Sequence, residues 1–215
     1  MRFNRHEILL LLIGLLALLG LAKLLLPQLS WNAPPAAPAA PQLSPAQLPQ
    51  TDLTLNGLRF EIDRQGKTVR AVDVNQNRVV WESRGEDRFI VPGAAFPLDL
   101  SPEGELWVAN VGRKRLERLD PQTGRFLAFW EPAAKFAGCC NPVRFAALSG
   151  GRFVTMEKGS RRACIYLPSG ELERVLSDSL SASEHDYHLY HTADTVHLYD
   201  LHSNQHWEVP YHDSP

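Results

Sequence analysis

The sequence lacks the patterns that mark most enzymes and nucleic-acid-binding proteins. It has no Gly-x-Ser-x-Gly nucleophile motif, no glycine loop that would cradle a phosphate and no dinucleotide fingerprint. Its 22 basic and 24 acidic residues leave a net charge of −2 without a basic stripe, so we expect no nucleic-acid partner. Its three cysteines cannot all pair with one another, and no Cys-x-x-Cys spacing indicates a zinc site.

One long apolar run lies near the N-terminus. Ile8 to Leu26 is 19 residues with Lys23 as its only charge, and at about 1.5 Å per residue a helix of this length spans a hydrocarbon core of roughly 30 Å. Arg2 and Arg5 precede it, and no charge follows Lys23 until position 52. The positive-inside rule then places the N-terminus in the cytoplasm and the rest of the chain in the periplasm or another extracytoplasmic space.

We interpret residues 1–26 as a single-pass signal-anchor in the inner (cytoplasmic) membrane, contacting lipid through residues 8–26. A cleaved signal peptide is the alternative, since Gly20-Leu21-Ala22 resembles a cleavage site. Leu24-Leu25-Leu26 extends the apolar run past that site, which favours an uncleaved anchor. Residues 27–51 carry seven prolines and no charge, so we predict an extended linker that holds the folded domain away from the membrane.

A short phrase recurs in the remaining residues 52–211. Its copies run from Val72 to Glu82, from Leu119 to Glu131 and from Tyr199 to Glu208. In each copy an apolar residue and Asp lead into a polar turn, and a short run then ends in Trp-Glu, which is typical of a hairpin. Short alternating strands fill this region and no helical period interrupts them, so the sequence predicts an all-β domain.

Two of the repeated units align over most of their length. Residues 96–113 correspond to residues 141–160, and both units continue into an apolar strand, a turn that contains Pro and Gly, and a last strand. This pattern, which covers about 80 residues well, resembles the NHL-repeat class of β-propeller blade. The resemblance implies a small or incomplete propeller of about four four-stranded blades. If the ring does not close, a homo-oligomer or a hetero-complex is expected to complete it.

The first and fourth units fit the blade pattern more loosely. The strands expected in them are Leu53–Leu55, Leu58–Ile62, Thr68–Val72 and Val79–Glu82 in the first unit, and Tyr187–His191, Thr195–Tyr199 and His206–Val209 in the fourth. An additional innermost strand of the fourth unit is expected within Ser179–Glu184.

The most unusual local sequence is Cys139-Cys140-Asn141-Pro142, which has no cysteine-containing counterpart in the preceding unit. Propeller topology places this loop on the same face as the loop from Lys158 to Arg161, and Cys164 follows closely. A plain structural role, a strained or switchable disulfide, a thiol-recognition role and a metal thiolate site all remain open. The candidate binding or redox residues are Cys139, Cys140, Asn141, Glu157, Lys158, Cys164, Arg161 and Arg162.

Two further groups of polar residues stand out. Basic residues between Arg113 and Arg118, together with Arg161 and Arg162, are expected to rim the cysteine face, either as solvated turn residues or as attraction for an acidic partner. Seven of the eight histidines lie in the last 31 residues. Weak candidates for a metal site or a pH sensor are His188, His191 and His197, and neutral surface imidazoles are the alternative.

These observations predict a binding protein. We expect a membrane-tethered, exported β-propeller that serves as a scaffold or accessory subunit of a membrane or periplasmic complex, with a protein partner in or at the membrane. No catalytic residue and no cofactor is predicted, although a metal is compatible with the sequence. The alternative is a thiol-redox or metal-dependent protein that uses Cys139, Cys140 and Cys164 in electron transfer or cofactor maturation.

Overall fold

The computed structural model describes residues 48–180, 187–192, 194–201 and 203–210. The predicted anchor, residues 8–26, and most of the predicted linker lie outside these ranges. Within the described ranges, no helix has the length and apolar character needed to cross a bilayer.

The described residues form four antiparallel sheets, one for each predicted blade. Blades 1 and 2 consist of β1 Thr54–Leu55, β2 Leu58–Asp63, β3 Thr68–Asp73, β4 Arg78–Ser83, β5 Leu98–Leu100, β6 Leu106–Asn110, β7 Arg115–Leu119 and β8 Phe126–Trp130. Blades 3 and 4 consist of β9 Arg144–Ala147, β10 Phe153–Glu157, β11 Arg162–Tyr166, β12 Leu172–Ser177, β13 Tyr187–His191, β14 Thr195–Asp200 and β15 Gln205–Pro210. A 3-10 turn at Ser149–Gly151 joins β9 to β10. The prediction of an all-β, propeller-like fold with four blades is confirmed.

The recurring Asp phrase marks the turns between outer strands. Asp73 Oδ1 accepts hydrogen bonds from the backbone N–H groups of Asn75 and Gln76, at 2.8 and 2.9 Å. Asp120 Oδ1 accepts equivalent bonds at 2.8 and 3.1 Å. A short acceptor side chain that bonds the next two amides stabilises a tight turn, and this explains why the phrase repeats. Blade 3 has Leu167 at this place and closes its turn through the backbone, with Gly170 N donating to Leu167 O at 2.9 Å.

Apolar side chains fill the space between successive blades. Phe60 and Ala71 of blade 1 pack against Val108 of blade 2 in one core cluster. Between blades 2 and 3 an aromatic cluster forms, in which the Trp130 and Phe153 ring centroids are 4.6 Å apart. Each large side chain buried in this way contributes about 1.5–3 kcal/mol relative to its exposed state. The middle strands are covered on both faces, which is why all five residues of β6 and of β10 are buried.

The inner strands place blade 4 differently from the sequence prediction. Strand β5 lies beside β9, and β9 lies beside β13. The sequence analysis assigned the innermost position of blade 4 to Ser179–Glu184, but β13 occupies it, and blade 4 has three strands among the described residues. Most of the expected strand falls on residues 181–186, which lie outside the described ranges. Only tertiary contact with β9 distinguishes an innermost strand from a second one, so the local pattern could not decide between them.

The segment before β1 reaches blade 4. His188 Nε2, on β13, lies 2.5 Å from Pro49 O, and the ring nitrogen must be the donor because the carbonyl can only accept. Leu48 is buried, and Leu53 packs against the core cluster between blades 1 and 2. Residues 48–53 therefore connect the inner strand of the last blade to the core of the first.

Candidate functional site

The cysteine loop, which we define as residues 131–143 between β8 and β9, is fixed at two points. Phe136 is 3% exposed and packs edge-on against Trp130 and Tyr166 in the aromatic cluster. Asn141 has no exposed surface; its amide donates to Ala137 O at 2.5 Å, and its Oδ1 accepts from Lys158 N at 2.8 Å. The loop is thus held against the β10–β11 turn, and the structure brings Asn141 and Lys158 together on one face.

A buried carboxylate lies beneath this face. The Glu157 side chain is 2% exposed; its Oε1 accepts from the Tyr166 hydroxyl at 2.5 Å, and its Oε2 accepts from Ser160 Oγ at 2.8 Å. Arg162 approaches Oε2 to 3.5 Å and supplies the counter-charge. Burial and the neighbouring carboxylate both raise the pKa of Tyr166, so this hydroxyl stays protonated and acts as a donor.

Blade 2 contains a buried carboxylate at a neighbouring register position. Glu117 has a fully buried side chain and accepts from Asn110 at 2.8 Å and from Arg115 at 2.7 Å. Strand register aligns Asn110 with Glu157, because each lies opposite the corresponding arginine, Arg115 or Arg162. The buried carboxylate therefore lies on the third strand in blade 2, as Glu117, but on the second strand in blade 3, as Glu157. The position in blade 3 that corresponds to Glu117 is Cys164.

All three cysteines are thiols in the structure, and their environments differ sharply. Cys139 is exposed, whereas Cys164 has no exposed surface and lies in the aromatic cluster. Burial, and then the charge of Glu157, raise the pKa of Cys164 to about 11. A thiol with this pKa is protonated at neutral pH and is a poor nucleophile or metal ligand. The expected cluster of three thiols on one accessible face is not present, because the side chain of Cys164 lies in the core.

The basic rim predicted from the sequence is largely neutralised within the chain. Arg113 pairs with Asp87 at 2.9 Å, and Arg115 pairs with Glu86 and with the buried carboxylate of blade 2. Arg161 Nε donates to the Leu180 carbonyl oxygen at 2.7 Å instead of pointing toward the cysteine loop. Arg162 pairs with the buried carboxylate of blade 3. Asp87 and Glu86, which pair with Arg113 and Arg115, come from the loop before blade 2, so the sequence pattern around the arginines could not reveal these two contacts.

The three histidines proposed as weak metal candidates do not meet. His188 bonds to Pro49 O, as described above, and His191 is buried. His197 lies on the opposite side of β14 from the core, where its Nδ1 is 3.2 Å from His206 Nε2. Burial, together with the positive charge that His206 would carry, lowers the pKa of His197, with Glu208 opposing the effect. The sequence analysis did not include His206 and Glu208, although alternation along β15 and its hairpin register with β14 would have placed them beside His197.

Two cavities lie along the inner strands. One, of about 500 Å³, is lined by blades 1 and 2 and by Arg144 of β9. The other, of about 320 Å³, is bounded by β5, β9, β13 and the segment before β1. They place charged groups near the centre of the blade arrangement, where sequence reasoning proposed no site.

An acid–base pair joins the inner strands. Asp99 of β5 accepts a hydrogen bond from Ala147 N of β9 at 2.8 Å, and its Oδ2 lies 3.2 Å from His191 Nε2 of β13. Both side chains are 5% exposed, and the ring is at ion-pair distance although it is not aligned for a linear hydrogen bond. Burial alone would lower the pKa of His191, but the contact with Asp99, together with backbone hydrogen bonds to Thr192 and Leu100, outweighs burial and the pKa is raised.

No protein-family model matches this chain, and neither does any curated protein. Among solved structures, it is similar to hydrazine synthase of Kuenenia stuttgartiensis, at 16% identity and a TM-score of 0.44 over 72% of this chain and 46% of that one. It is also similar to virginiamycin B lyase of Staphylococcus aureus, at 12% identity and a TM-score of 0.41 over 74% and 54%. A third similarity is to BamB of Moraxella catarrhalis, at 16% identity and a TM-score of 0.33 over 74% and 50%.

The chain spans about half the length of these structures. The chain's own sheet order shows the propeller-like fold. The finer assignment to the NHL-repeat class stays a prediction from the sequence.

Proposed function

We propose that this chain is a membrane-tethered, exported binding module that serves as an accessory or scaffold subunit of a membrane or periplasmic complex. In this proposal the cysteine loop is the surface that contacts a protein partner. The observation that carries the proposal is the way in which the loop is held: Phe136 and Asn141 fix its base in the core, while Cys139 at its tip is exposed. A loop whose conformation is set before binding loses little entropy when a partner docks.

Apolar surface beside the loop supports the same proposal. Leu127 and Phe129 lie on β8, the outer strand that leads into the loop, and are 51% and 50% exposed. Exposed large apolar side chains around a rigid loop are typical of a protein-binding surface. Because the arginines of the rim are paired internally, we propose a partner surface that is apolar rather than strongly acidic.

The thiol-redox alternative receives less support. Its third thiol, Cys164, is buried and protonated, so any thiol chemistry would be confined to the adjacent Cys139 and Cys140. A role for that pair in partner recognition needs no electron acceptor and agrees with the fixed loop. We therefore propose the binding role as the function and treat redox chemistry as an outcome that the experiment below can detect.

Site-specific crosslinking in native membranes tests the proposal. A thiol-directed photocrosslinker is attached to Cys139 in a chain that carries Cys140→Ser, and the control places it on Gln76→Cys in a chain that carries both Cys139→Ser and Cys140→Ser. Gln76 is an exposed residue of the turn between β3 and β4 in blade 1, whereas the cysteine loop joins blades 2 and 3. We expect one discrete crosslinked protein from position 139, lost when Phe129→Ser and Leu127→Ser are added. The same adducts from both positions, or none from position 139, would contradict the proposal. In a parallel sample of the unlabelled wild-type chain, an adduct that forms without light and disappears on reduction would indicate disulfide exchange through Cys139 or Cys140.

A further inference from the structure

The outer face of blade 4 carries an unusual set of side chains. Val196 and Leu198 of β14 turn toward blade 3 and pack in its core clusters. Because alternate residues of a strand point to opposite faces, His197 and Tyr199 turn away from blade 3. The same alternation on β15 places His206 and Glu208 on this outward face, while Trp207 packs inward.

Strand pairing brings four of these side chains into a compact square. His197 lies directly opposite Glu208, and Tyr199 lies directly opposite His206. The ligand atoms of His197, His206 and Glu208 all lie within 4.8 Å of one another. Two imidazoles and one carboxylate make up a donor set that zinc accepts, and Cu²⁺ and Ni²⁺ also bind imidazole well.

The distance between the two imidazoles matches a shared metal ion. His197 Nδ1 and His206 Nε2 are 3.2 Å apart. Two nitrogens bound to one ion at about 2.05 Å are separated by about 3.3 Å in tetrahedral geometry and by about 2.9 Å at a right angle. The observed separation lies between these values, and because the two ring planes are inclined by only 14°, one imidazole must rotate about its side-chain bonds to direct both nitrogens at the same ion. Glu208 is exposed, and rotation of its side chain can close the remaining gap.

Stacked phenols hold both rings in place. The Tyr199 ring lies 4.0 Å from that of His206 with an interplanar angle of 3°, and the Tyr190 ring lies 4.5 Å from that of His197 with an angle of 6°. Tyr190 is itself 8% exposed, so its position is set by packing. Neighbours that fix the orientation of a ligand reduce the entropy that the ligand loses on coordination, and they contribute substantially to metal affinity.

We propose that His197, His206 and Glu208 form a binding site for a divalent transition-metal ion of the zinc type on the outward face of blade 4. The site supplies three protein ligands and is open to solvent, so at least one coordination position remains for water or for a group of another molecule. The site lies on a different blade from the cysteine loop, and it is independent of the binding function proposed above.

Calorimetric titration of the full-length chain in detergent with Zn²⁺ tests the site. The parent protein carries Cys139→Ser and Cys140→Ser, because accessible thiols also bind zinc. We expect one ion per chain with a dissociation constant below about 10 µM. The variants His197→Asn, His206→Asn and Glu208→Gln should each weaken binding by more than about 100-fold, since even residues that only orient ligands are worth 10–100-fold.

The matched control is His188→Asn, which removes an imidazole from the same face but from outside the three-ligand set, and it should bind like the parent. Co²⁺ provides a second readout, because four- or five-coordinate Co²⁺ absorbs visible light much more strongly than the hydrated ion. Far-UV circular dichroism verifies that each variant is folded. Absence of binding would overturn the proposal and leave this face as a polar cap of the last blade. Equal affinity in all variants, or loss of binding in the control, would also overturn it because the ion would then have other ligands.

Discussion

The pair formed by Asp99 and His191 makes a prediction about stability as a function of pH. Asp99→Asn retains an acceptor for Ala147 N but removes the negative charge that faces His191. The loss has two parts: the bond from Ala147 N changes from a charged to a neutral acceptor, which costs about 1 kcal/mol, and the charge–charge contact with His191 is removed. Both side chains are 5% exposed, so screening by solvent is weak. We therefore expect Asp99→Asn to lower the free energy of unfolding by about 2 kcal/mol at pH 6.

The sign of the pH dependence distinguishes this pair from ordinary packing. In the wild-type chain the pKa of His191 is raised, so its stabilisation is complete below the unfolded pKa of about 6.5 and is lost as pH rises through the folded value. In Asp99→Asn the attraction of the carboxylate is lost and only the backbone contacts with Thr192 and Leu100 still oppose burial, so the pKa of His191 falls and stability should decrease less with rising pH than in the wild-type chain. The lowered pKa of His197 contributes a rise in both proteins and cancels in their difference.

Urea denaturation followed by tryptophan fluorescence, at pH values from 5.5 to 8.5, measures both curves. The matched control is Asp87→Asn, because Asp87 pairs with Arg113 but its side chain is 72% exposed, and we expect a change below about 0.5 kcal/mol. Parallel curves for wild type and Asp99→Asn would refute the reasoning, since they would show that the aspartate does not set the ionisation of His191.

Three further predictions concern the cysteine loop. A Cβ at Gly159 would lie 2.7 Å from the backbone oxygen of Ala137 in the loop, so Gly159→Ala should lower the free energy of unfolding by about 1–3 kcal/mol. The control Gly93→Ala, with no heavy atom within 4 Å of its Cβ, should change it by less than about 0.5 kcal/mol. Urea denaturation measures both, and equal effects would contradict the contact. Iodoacetamide at pH 8 should label Cys139 in the folded chain and Cys164 only after unfolding, as peptide mass spectrometry can show; prompt labelling of Cys164 would contradict its burial. Asn141→Ala removes two hydrogen bonds, so it should lower the free energy of unfolding by about 2 kcal/mol and speed hydrogen exchange at the Lys158 backbone amide. Unchanged exchange at that amide would show that other contacts hold the loop.

The sequence allowed a good prediction of local structure because strands and turns leave local patterns. Asn56-Gly57 forms the turn between β1 and β2, the turn that follows Asp73 joins β3 to β4, and β2 ends within one residue of its predicted end. Each pattern spans fewer than about ten residues and requires no knowledge of the neighbouring blade. The position of β13 beside β9 was missed because adjacency across blades leaves no such local pattern.

In the candidate site, too, the sequence predicted local features but not the contacts between blades. Topology placed the cysteine loop and the β10–β11 turn on one face, and the structure brings Asn141 against Lys158 there. The burial of Cys164 was not predictable, because the side chains that cover it come from blade 2 as well as blade 3. The pairing of Arg115 depends likewise on Glu86 in a distant loop. Charge and reactivity in this fold are set largely between blades, where sequence spacing carries little information.

The two ends of the blade series bear on how a partner would complete the arrangement. The face of blade 1 that is turned away from blade 2 carries an ion-pair network in which Arg70 bridges Asp63, at 2.5 Å, and Glu82, at 2.8 Å. The face of blade 4 that is turned away from blade 3 carries the stacked ladder that includes Tyr190 and His197. Among the described residues, both faces are rich in polar groups that already interact with one another. A partner that covered them with apolar side chains would have to desolvate these groups without replacing their contacts, which is unfavourable. The partner of the function proposed here is therefore better accommodated on the cysteine loop and the exposed side chains of β8 than at the ends of the series.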